Sequence, residues 1–328
     1  FPTPVGPVTF QSGYGIYTVP GEAQFYVTGV NALNTVDPLD FATAESAPDP
    51  LLRAFVDHNE LWLFGTRSIE VWQLSGGVDF PYTPFVNAQM ARGLGAAFSV
   101  AAEDNTLFFL GDDWVVYRAD GYRPMRISTH PIERAIAAVP LATRALADAL
   151  VYTIGGHKFY TLRFPDYLTI QFNVATGLWN RASTYLFDDW RILGSAGGTG
   201  DYLLTDAGVA QLSVDINKDE GGILRRSAIS APIYVKGKRI LMRSFFLDCE
   251  VGRAATGISP QVMLRVARDS EIFGNERWRS LGTTGGYTRR VMWRNLGLSR
   301  RPSLEFACSD DVNFAVVGTD AELEVTTT

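Results

Sequence analysis

The residues of this chain that are able to do chemistry are scattered and do not cluster. Its three histidines, His58, His130 and His157, are far apart, and none has a neighbour at the spacing of a zinc ligand pair. His58 and His157 each precede an apolar strand at a turn, which favours structural hydrogen bonding over catalysis. Neither a Gly-x-Ser-x-Gly elbow nor a Gly-x-x-x-x-Gly-Lys-Ser/Thr phosphate loop occurs. The sequence therefore predicts no catalytic residue, no cofactor and no metal site.

Charged clusters leave two interpretations open. The pairs Asp112-Asp113 and Asp310-Asp311 supply the oxygen ligands that calcium takes, although paired acids at strand ends are more typical of solvated turns. A basic cluster between residues 289 and 301 contains Arg289, Arg290, Arg294, Arg300 and Arg301. This cluster either contacts an acidic partner or a phosphate, or it forms the exposed face of two paired strands.

Composition excludes several functional classes. With 328 residues, 46% of them hydrophobic and only 20% charged, the chain is able to bury a large core. Its net charge of −6 argues against a protein that grips DNA through a basic face. Cys249 and Cys308 are the only cysteines, and we expect two buried free thiols. The apolar stretch 135–154 is interrupted by a proline and charged residues, so no membrane span is predicted.

A repeated phrase is the strongest structural signal. Asn-Glu-Leu-Trp-Leu-Phe-Gly at residues 59–65 and Asn-Thr-Leu-Phe-Phe-Leu-Gly at residues 105–111 each precede a turn and a second apolar strand. Leu61 and its counterpart Leu107 are 46 residues apart (107 − 61), close to the period of a four-stranded β-propeller blade. Two further units follow, at residues 150–173 and, in degenerate form, at residues 190–214. The sequence predicts an all-β propeller, which is a rigid scaffold and supplies no chemistry by itself.

The elements expected around this repeat are short strands and one helix. The second copy is predicted to comprise strands at residues 96–101, 107–110 and 115–117, and residues 31–50 are predicted to be a long connection. One short helix is expected at residues 131–138, with Thr129 as its cap and Glu133 at its positive end.

Domain organisation is predicted from a polar run. Residues 215–222, Asp-Ile-Asn-Lys-Asp-Glu-Gly-Gly, are the best candidate for a linker. Residues 1–214 are then the propeller blades, and residues 223–328 form a β-rich region that closes or flanks the propeller. Longer strands are expected there, the first at residues 230–235.

Several motifs resemble the packaged-DNA stabilisation proteins of short-tailed bacteriophages. The similarity extends in order over roughly residues 5–190, and Glu-Leu-Trp-Leu-Phe-Gly and Ser-Thr-His-x-Ile-Glu are its most specific phrases. The motifs are FATAESAPD at 41–49, DHNELWLFG at 57–65, IEVW at 69–72, ISTHPIE at 127–133 and GH at 156–157, with Trp179. The motif residues to which this resemblance assigns a structural role are Glu60, Trp62, Gly65, Trp72, His130, Glu133, His157 and Trp179.

The resemblance implies a structural virion protein and no enzyme. Such a protein forms a homo-oligomeric ring, usually a hexamer, which is the tail nozzle or hub that retains packaged DNA and conducts it during ejection. Expected partners are the portal adaptor protein, a tail needle, plug, spike or fibre, and double-stranded DNA that passes without sequence-specific binding. The expected location is the virion tail, after assembly in the host cytoplasm. An acidic channel wall would repel the DNA backbone and let the genome slide.

One alternative belongs to a different class of protein. Residues 268–278 loosely resemble the Asp-box turns of sialidase-type propellers. The chain would then be a host-surface carbohydrate-binding or glycan-cleaving propeller. An aromatic-lined pocket with convergent arginines on the propeller axis would favour this alternative over the nozzle.

Overall fold

The computed structural model describes residues 6–44, 49–77, 79–195, 202–269 and 272–326. The chain divides into two compact units, Phe1–Ser213 and Val214–Thr328. Parts of two sequence motifs, residues 45–48 and 270–271, lie outside the described residues.

The first unit begins with two four-stranded antiparallel sheets, here named blade 1 and blade 2. The strands of blade 1 are β1 (Val8–Gln11), β2 (Tyr14–Thr18), β3 (Gln24–Val27) and β4 (Phe41–Thr43). The strands of blade 2 are β5 (Leu51–Asp57), β6 (Glu60–Gly65), β7 (Ile69–Leu74) and β8 (Tyr82–Met90). In both blades each strand pairs with the next one along the chain, which is the up-and-down order of a propeller blade.

Blades 3 and 4 repeat this arrangement on either side of a helical connection. The strands of blade 3 are β9 (Ala101–Glu103), β10 (Thr106–Leu110), β11 (Val116–Ala119) and β12 (Pro124–Arg126). The helices are α1 (His130–Ala138) and α2 (Leu141–Arg144). The strands of blade 4 are β13 (Asp148–Ile154), β14 (His157–Phe164), β15 (Leu168–Asn173) and β16 (Leu178–Ala182).

A three-stranded sheet, blade 5, ends the first unit. Its strands are β17 (Ile192–Ser195), β18 (Tyr202–Thr205) and β19 (Gly208–Gln211). Leu61 and Leu107, the repeat positions, occupy equivalent places in the second strands of blades 2 and 3, and both are buried. The predicted all-β, propeller-type architecture with one main helix is confirmed.

Apolar clusters lie between successive blades, because each strand points alternate side chains to opposite faces of its sheet. Phe25 of blade 1 lies with Leu63 of blade 2 in one cluster, and Phe64 of blade 2 lies with Phe109 of blade 3 in the next. Further clusters join blade 3 to blade 4 and blade 4 to blade 5. The core of the unit is therefore a series of blade junctions.

Four expectations about elements are corrected by the structure. The strand predicted at residues 96–101 is β9, which begins only at Ala101, and the connection predicted at residues 31–50 contains β4. The helix predicted at residues 131–138 begins at His130, and the Thr129 side chain makes no capping hydrogen bond. Instead, the Glu133 N–H donates to the Thr129 carbonyl (3.0 Å), and Pro131 occupies the first turn, where its missing N–H costs nothing. The fourth correction concerns residues 230–235 of the second unit, which form no strand.

The second unit consists of a short hairpin and two antiparallel sheets. The hairpin is formed by β20 (Lys218–Asp219) and β21 (Gly222–Ile223). One sheet has the order β22-β27-β24-β25, and the other has the order β26-β23-β28. Their strands are β22 (Arg226–Ile229), β23 (Ile240–Cys249), β24 (Gln261–Ala267), β25 (Arg277–Ser280), β26 (Val291–Ser299), β27 (Ser303–Cys308) and β28 (Val316–Val325).

One apolar cluster joins the two sheets of the second unit. Phe245 and Trp293 from one sheet lie in it with Leu264 from the other, and Trp293 is fully buried. Cys249 and Cys308 are buried free thiols, as expected, and burial raises the pKa of Cys249 to about 11. A pKa that high keeps the thiol protonated and unreactive at neutral pH.

Candidate functional site

The motif residues predicted from sequence lie mainly at the junctions between blades and at the turns that set those junctions. Gly65 ends β6 at the hairpin to β7, and the buried carboxylate of Asp49 fills the space beside it. A Cβ at Gly65 would lie 2.4 Å from Asp49 Oδ2, far inside van der Waals contact. Glycine is therefore required here for steric reasons.

Asp49 holds the hairpin that follows Gly65. Its Oδ2 accepts from the backbone N–H of Arg67 (2.6 Å) and of Ser68 (3.2 Å), and its Oδ1 accepts from the Ser68 hydroxyl (2.7 Å). A buried carboxylate needs several donors to offset its desolvation, and this turn provides them. Asp49 ends the FATAESAPD motif, but the sequence assigned it no role, because its partners are 18 and 19 residues away and the pairing leaves no local pattern.

A glycine-flanked segment joins the turns of blades 2 and 3. The Leu94 N–H donates to the Gly65 carbonyl (2.9 Å), and the Gly95 N–H donates to the Leu110 carbonyl (2.9 Å). A Cβ at Gly93 would lie 2.1 Å from the Thr66 carbonyl oxygen, so the two backbones touch. This contact fixes the position of blade 3 relative to blade 2.

Glu60 and Trp62 bridge the same two blades through Tyr122. The Tyr122 hydroxyl donates to Glu60 Oε1 (2.5 Å), and this bond to a carboxylate, with partial burial, raises the pKa of Tyr122 to about 12. The Trp62 ring lies 5.9 Å from the Tyr122 ring, centroid to centroid. Glu60 is thus a hydrogen-bond acceptor at a blade junction.

Trp72 joins blade 1 to blade 2. Its ring meets that of Phe25 edge to face, with centroids 5.1 Å apart, a favoured aromatic geometry. Its indole N–H donates to the buried carboxylate of Glu70 (3.2 Å).

The Ser-Thr-His-x-Ile-Glu motif ties α1 to blade 3. Glu133 accepts from the Arg126 guanidinium (2.8 and 2.5 Å) and from the Ser128 hydroxyl (2.8 Å). Desolvation raises the pKa of Glu133, but the hydrogen bonds from Arg126 and Ser128 outweigh it and lower the pKa overall. The Ser128 hydroxyl also accepts from the Val116 N–H of β11 (3.1 Å). His130 is 84% exposed and lies at the edge of this network, 3.2 Å from Arg126.

Trp179 and His157 belong to blade 4. The Trp179 indole N–H donates to the Ile127 carbonyl (3.0 Å), and its ring lies 5.1 Å from that of Phe172, so it anchors the last strand of blade 4 to the motif after blade 3. His157 is exposed at a hairpin, where its Nδ1 lies 3.2 Å from the Asn173 amide nitrogen. Like His157, His58 sits at an exposed turn, where the Asp57 carboxylate raises its pKa.

An ion network around the buried carboxylate of Asp189, at the junction of blades 4 and 5, was not predicted from sequence. Asp189 is 1% exposed and lies between the guanidinium groups of Arg163 (4.0 Å) and Arg191 (3.7 Å). Arg191 also contacts Asp166 (2.8 Å) and Asp206 (3.1 Å), one from each blade. The only local hint of this network in the sequence is Asp-Asp-Trp-Arg at residues 188–191. Acidic residues next to arginines are common at exposed turns, so the phrase does not distinguish a network from a solvated turn.

Asp49, Glu60, Glu70, Glu133 and Asp189 are therefore engaged in structural contacts. Within the described ranges, no group of three or more His, Cys, Asp or Glu residues is arranged to hold a metal ion. Among the described residues, four surface cavities have volumes of 330 to 470 Å³, and none of these four has two carboxylates in its lining. In the basic cluster of the second unit, Arg289 donates to the Ser280 carbonyl (2.9 Å), while the backbone N–H groups of Arg300 and Arg301 donate to Asp269.

The chain has distant likenesses to several solved structures. The chain is similar to the computationally designed Ika8 protein (11% identity, TM-score 0.39, covering 95% of this chain and 82% of that one). It is also similar to Kluyveromyces lactis Hsv2, with 10% identity and a TM-score of 0.37 over 63% of this chain and 62% of that one. A third likeness is to an engineered GH43 glycoside hydrolase, with 11% identity and a TM-score of 0.31 over 99% of this chain and 100% of that one. These TM-scores are too low to carry an argument, and no curated protein matches the sequence. In the part of the chain that is described, no helix is both long and apolar enough to cross a bilayer.

Two family models, by contrast, match most of the chain. The one described as bacteriophage P22 Gp10, beta-propeller, matches residues 4–195, and the one described as bacteriophage P22 Gp10, beta-sandwich, matches residues 225–324. They confirm the family predicted from the motifs and identify the two-sheet second unit as a β-sandwich, which the sequence indicated only as additional strands. The chain belongs to the bacteriophage P22 Gp10 family of phage structural proteins.

Proposed function

We propose that this chain is the protomer of a hexameric ring, and that this ring is the tail nozzle or hub of a short-tailed phage. In this role it retains the packaged genome and then forms the conduit through which DNA is ejected. The observation that carries the proposal is that residues 4–195 match the propeller model of one phage family and residues 225–324 match its β-sandwich model. The site of action is the virion tail, and assembly takes place in the host cytoplasm.

The contacts at the blade junctions support a passive mechanical role. The motif residues Glu60, Trp72 and Trp179 make contacts that join one blade to the next. A buried carboxylate holds the turn at Gly65. A conduit wall must keep its shape while DNA under pressure pushes against it. Cross-blade hydrogen bonds and aromatic contacts resist the sliding of sheets that would deform such a wall.

The charge of the chain supports passage of DNA without gripping. A protein that binds DNA neutralises phosphates with lysines and arginines, whereas this chain carries a net charge of −6. Copies arranged around a channel would offer the genome few attractive contacts, so DNA would slide through. The proposed protein partners are the portal adaptor at one end and a needle, plug, spike or fibre at the other.

Loss of the protein from the phage that encodes it tests the proposed function. We expect particles of a null mutant to fill with genome-length DNA and then to lose it, so that the DNA becomes sensitive to nuclease. A plasmid copy of the wild-type chain should restore retention. Null particles that keep their DNA, or that never package any, would contradict the proposal. A glycan array probed with the purified protein tests the alternative of a carbohydrate-binding propeller. We expect no saturable binding of the protein to any glycan.

A further inference from the structure

The net charge of the chain is distributed unevenly between its two units. The first unit contains 12 Lys and Arg residues against 21 Asp and Glu residues, which gives a net charge of −9. The second unit contains 17 against 14, which gives a net charge of +3. Between Glu276 and Glu305 the chain has seven arginines and no acidic residue. The acidic character of the whole chain therefore comes from the first unit, and the second unit contains a basic region.

The fold places five of these arginines at one open edge of the β-sandwich. β25 is an edge strand of one sheet, and β26 is an edge strand of the other. The two strands are joined where the Trp293 indole N–H donates to the Arg277 carbonyl (2.6 Å). The arginines on these two strands and in the connection between them are here named the arginine edge: Arg277, Arg279, Arg289, Arg290 and Arg294.

Three members of the arginine edge are oriented by backbone carbonyl groups. Arg279 donates to the Met292 carbonyl of β26 (2.9 Å), and Arg277 donates to the Arg294 carbonyl (2.7 Å). Arg289 likewise donates to a carbonyl, at the end of β25 (2.9 Å). A carbonyl oxygen orients a guanidinium group but does not cancel its charge. The ion pairs found among the described residues of the second unit all use Lys or Arg residues outside the arginine edge.

The other two members, Arg290 and Arg294, are exposed to solvent. Arg294 lies on the face of β26 opposite the buried Val291 and Trp293, and Arg290 directly precedes the strand. Four residues of extended chain separate them by about 13 Å. Within the described part of the chain, neither guanidinium group has a hydrogen-bond acceptor or a carboxylate partner. The arginine edge is therefore a row of positive charges that the protein itself does not neutralise.

We propose that the arginine edge binds the phosphate backbone of double-stranded DNA without regard to base sequence. A row of unneutralised arginines is complementary in charge to a polyanion, and a guanidinium group binds phosphate oxygens through paired hydrogen bonds. Among polyanions, duplex DNA is the one that the proposed function brings to the protein, and the inference rests on that function for this choice. Phosphate contacts of this kind exchange as DNA slides, so a few in each copy hold the resting genome and still permit ejection.

The salt dependence of DNA binding tests the inference. Fluorescence anisotropy measures the dissociation constant of the full chain for a short labelled duplex of mixed sequence, between about 50 and about 200 mM NaCl. Each phosphate contact contributes about 0.9 to the slope of log K against log salt concentration. The double variant Arg290→Gln with Arg294→Gln should therefore lower that slope by about 2 and weaken binding at least about tenfold at the lowest salt concentration.

A matched variant controls for the loss of charge. Arg123→Gln with Arg134→Gln removes two exposed arginines of the first unit and changes the net charge equally. This control should leave the slope unchanged, and circular dichroism checks that both double variants fold. Equal slopes for the two double variants would overturn the inference. A wild-type protein that binds polyglutamate but not DNA would also overturn it, because the arginine edge would then belong to an acidic protein partner.

The outcome of this experiment is separate from that of the proposed function. A purified chain that binds no duplex even at the lowest salt concentration would refute the inference and leave the test with null-mutant particles unaffected. Null-mutant particles that keep their DNA would refute the proposed function, whatever the purified chain binds.

Discussion

The steric lock between Gly65 and Asp49 permits a quantitative test of how the hairpin of blade 2 is held. Gly65→Ala places a methyl group where Asp49 Oδ2 would be 2.4 Å away. The backbone of Gly65 lies outside the left-handed region, so the cost is steric, and overpacking of this kind destabilises by about 1–3 kcal/mol. Because four hydrogen bonds, including a long one from the Thr66 hydroxyl (3.4 Å), hold the carboxylate in place, we expect a value near the upper end of that range.

Asp49→Ala should be destabilising for a different reason. It leaves the N–H and hydroxyl of Ser68 without their acceptor in a buried position, and each unsatisfied group costs about 1–3 kcal/mol. We expect a total loss of about 3–4 kcal/mol. The double variant removes the carboxylate that the new methyl group meets, and every other atom lies at least 3.1 Å from the position of that methyl carbon. It should therefore be about 2 kcal/mol more stable than additivity predicts.

Urea unfolding, followed by tryptophan fluorescence and circular dichroism, measures all four proteins of this cycle. Asp49→Ala combined with Gly194→Ala is the control, because nothing lies within 4 Å of the Cβ position at Gly194 and its backbone is not left-handed. The control pair should be additive within about 0.5 kcal/mol. Additivity in the Gly65 and Asp49 cycle would refute the steric explanation.

Three further predictions follow from the blade junctions. Gly93→Ala, whose new methyl group meets backbone, should destabilise by about 3 kcal/mol in urea unfolding, against less than about 0.5 kcal/mol for Gly194→Ala; similar values for both would contradict the close approach. Tyr122→Phe should cost about 1 kcal/mol at pH 8. Because the pKa of Tyr122 is raised to about 12 by Glu60, the stabilising bond is intact below pH 10 and lost as the pH rises toward 12, so the stability difference between Tyr122→Phe and wild type should shrink there. The pKa of Glu133 is lowered, so the stabilisation from its ion pair with Arg126 is present above the unfolded pKa of the carboxyl and is lost as the pH falls. Glu133→Gln should therefore have a smaller free energy of unfolding than wild type at pH 7. If that difference persisted undiminished at pH 3, it would be inconsistent with the ion pair.

Much of the architecture was predictable because the buried strands carry a strong signal. The Leu61 and Leu107 phrases lie on second strands whose residues are almost all buried, so the apolar repeat stands out. The fourth strands β8 and β16 are mostly exposed, and they therefore lack the alternation that would have revealed them. The fold prediction succeeded where burial dictates residue type.

The candidate site was predictable only in part. The motif positions were identified through a family resemblance, but their partners were not, since Asp49 and Tyr122 act across long separations in sequence. Glu60 and Tyr122 are 62 residues apart, and no local rule pairs them.

The mass of the assembled protein tests the central claim most directly. Multi-angle light scattering on the purified chain, alone and with the proposed adaptor protein, should reveal a species that contains six copies, about 217 kDa for this chain without the adaptor (six times 36.1 kDa). Electron microscopy of that species should show an open central channel. A mass that stays at one copy under both conditions would contradict the account.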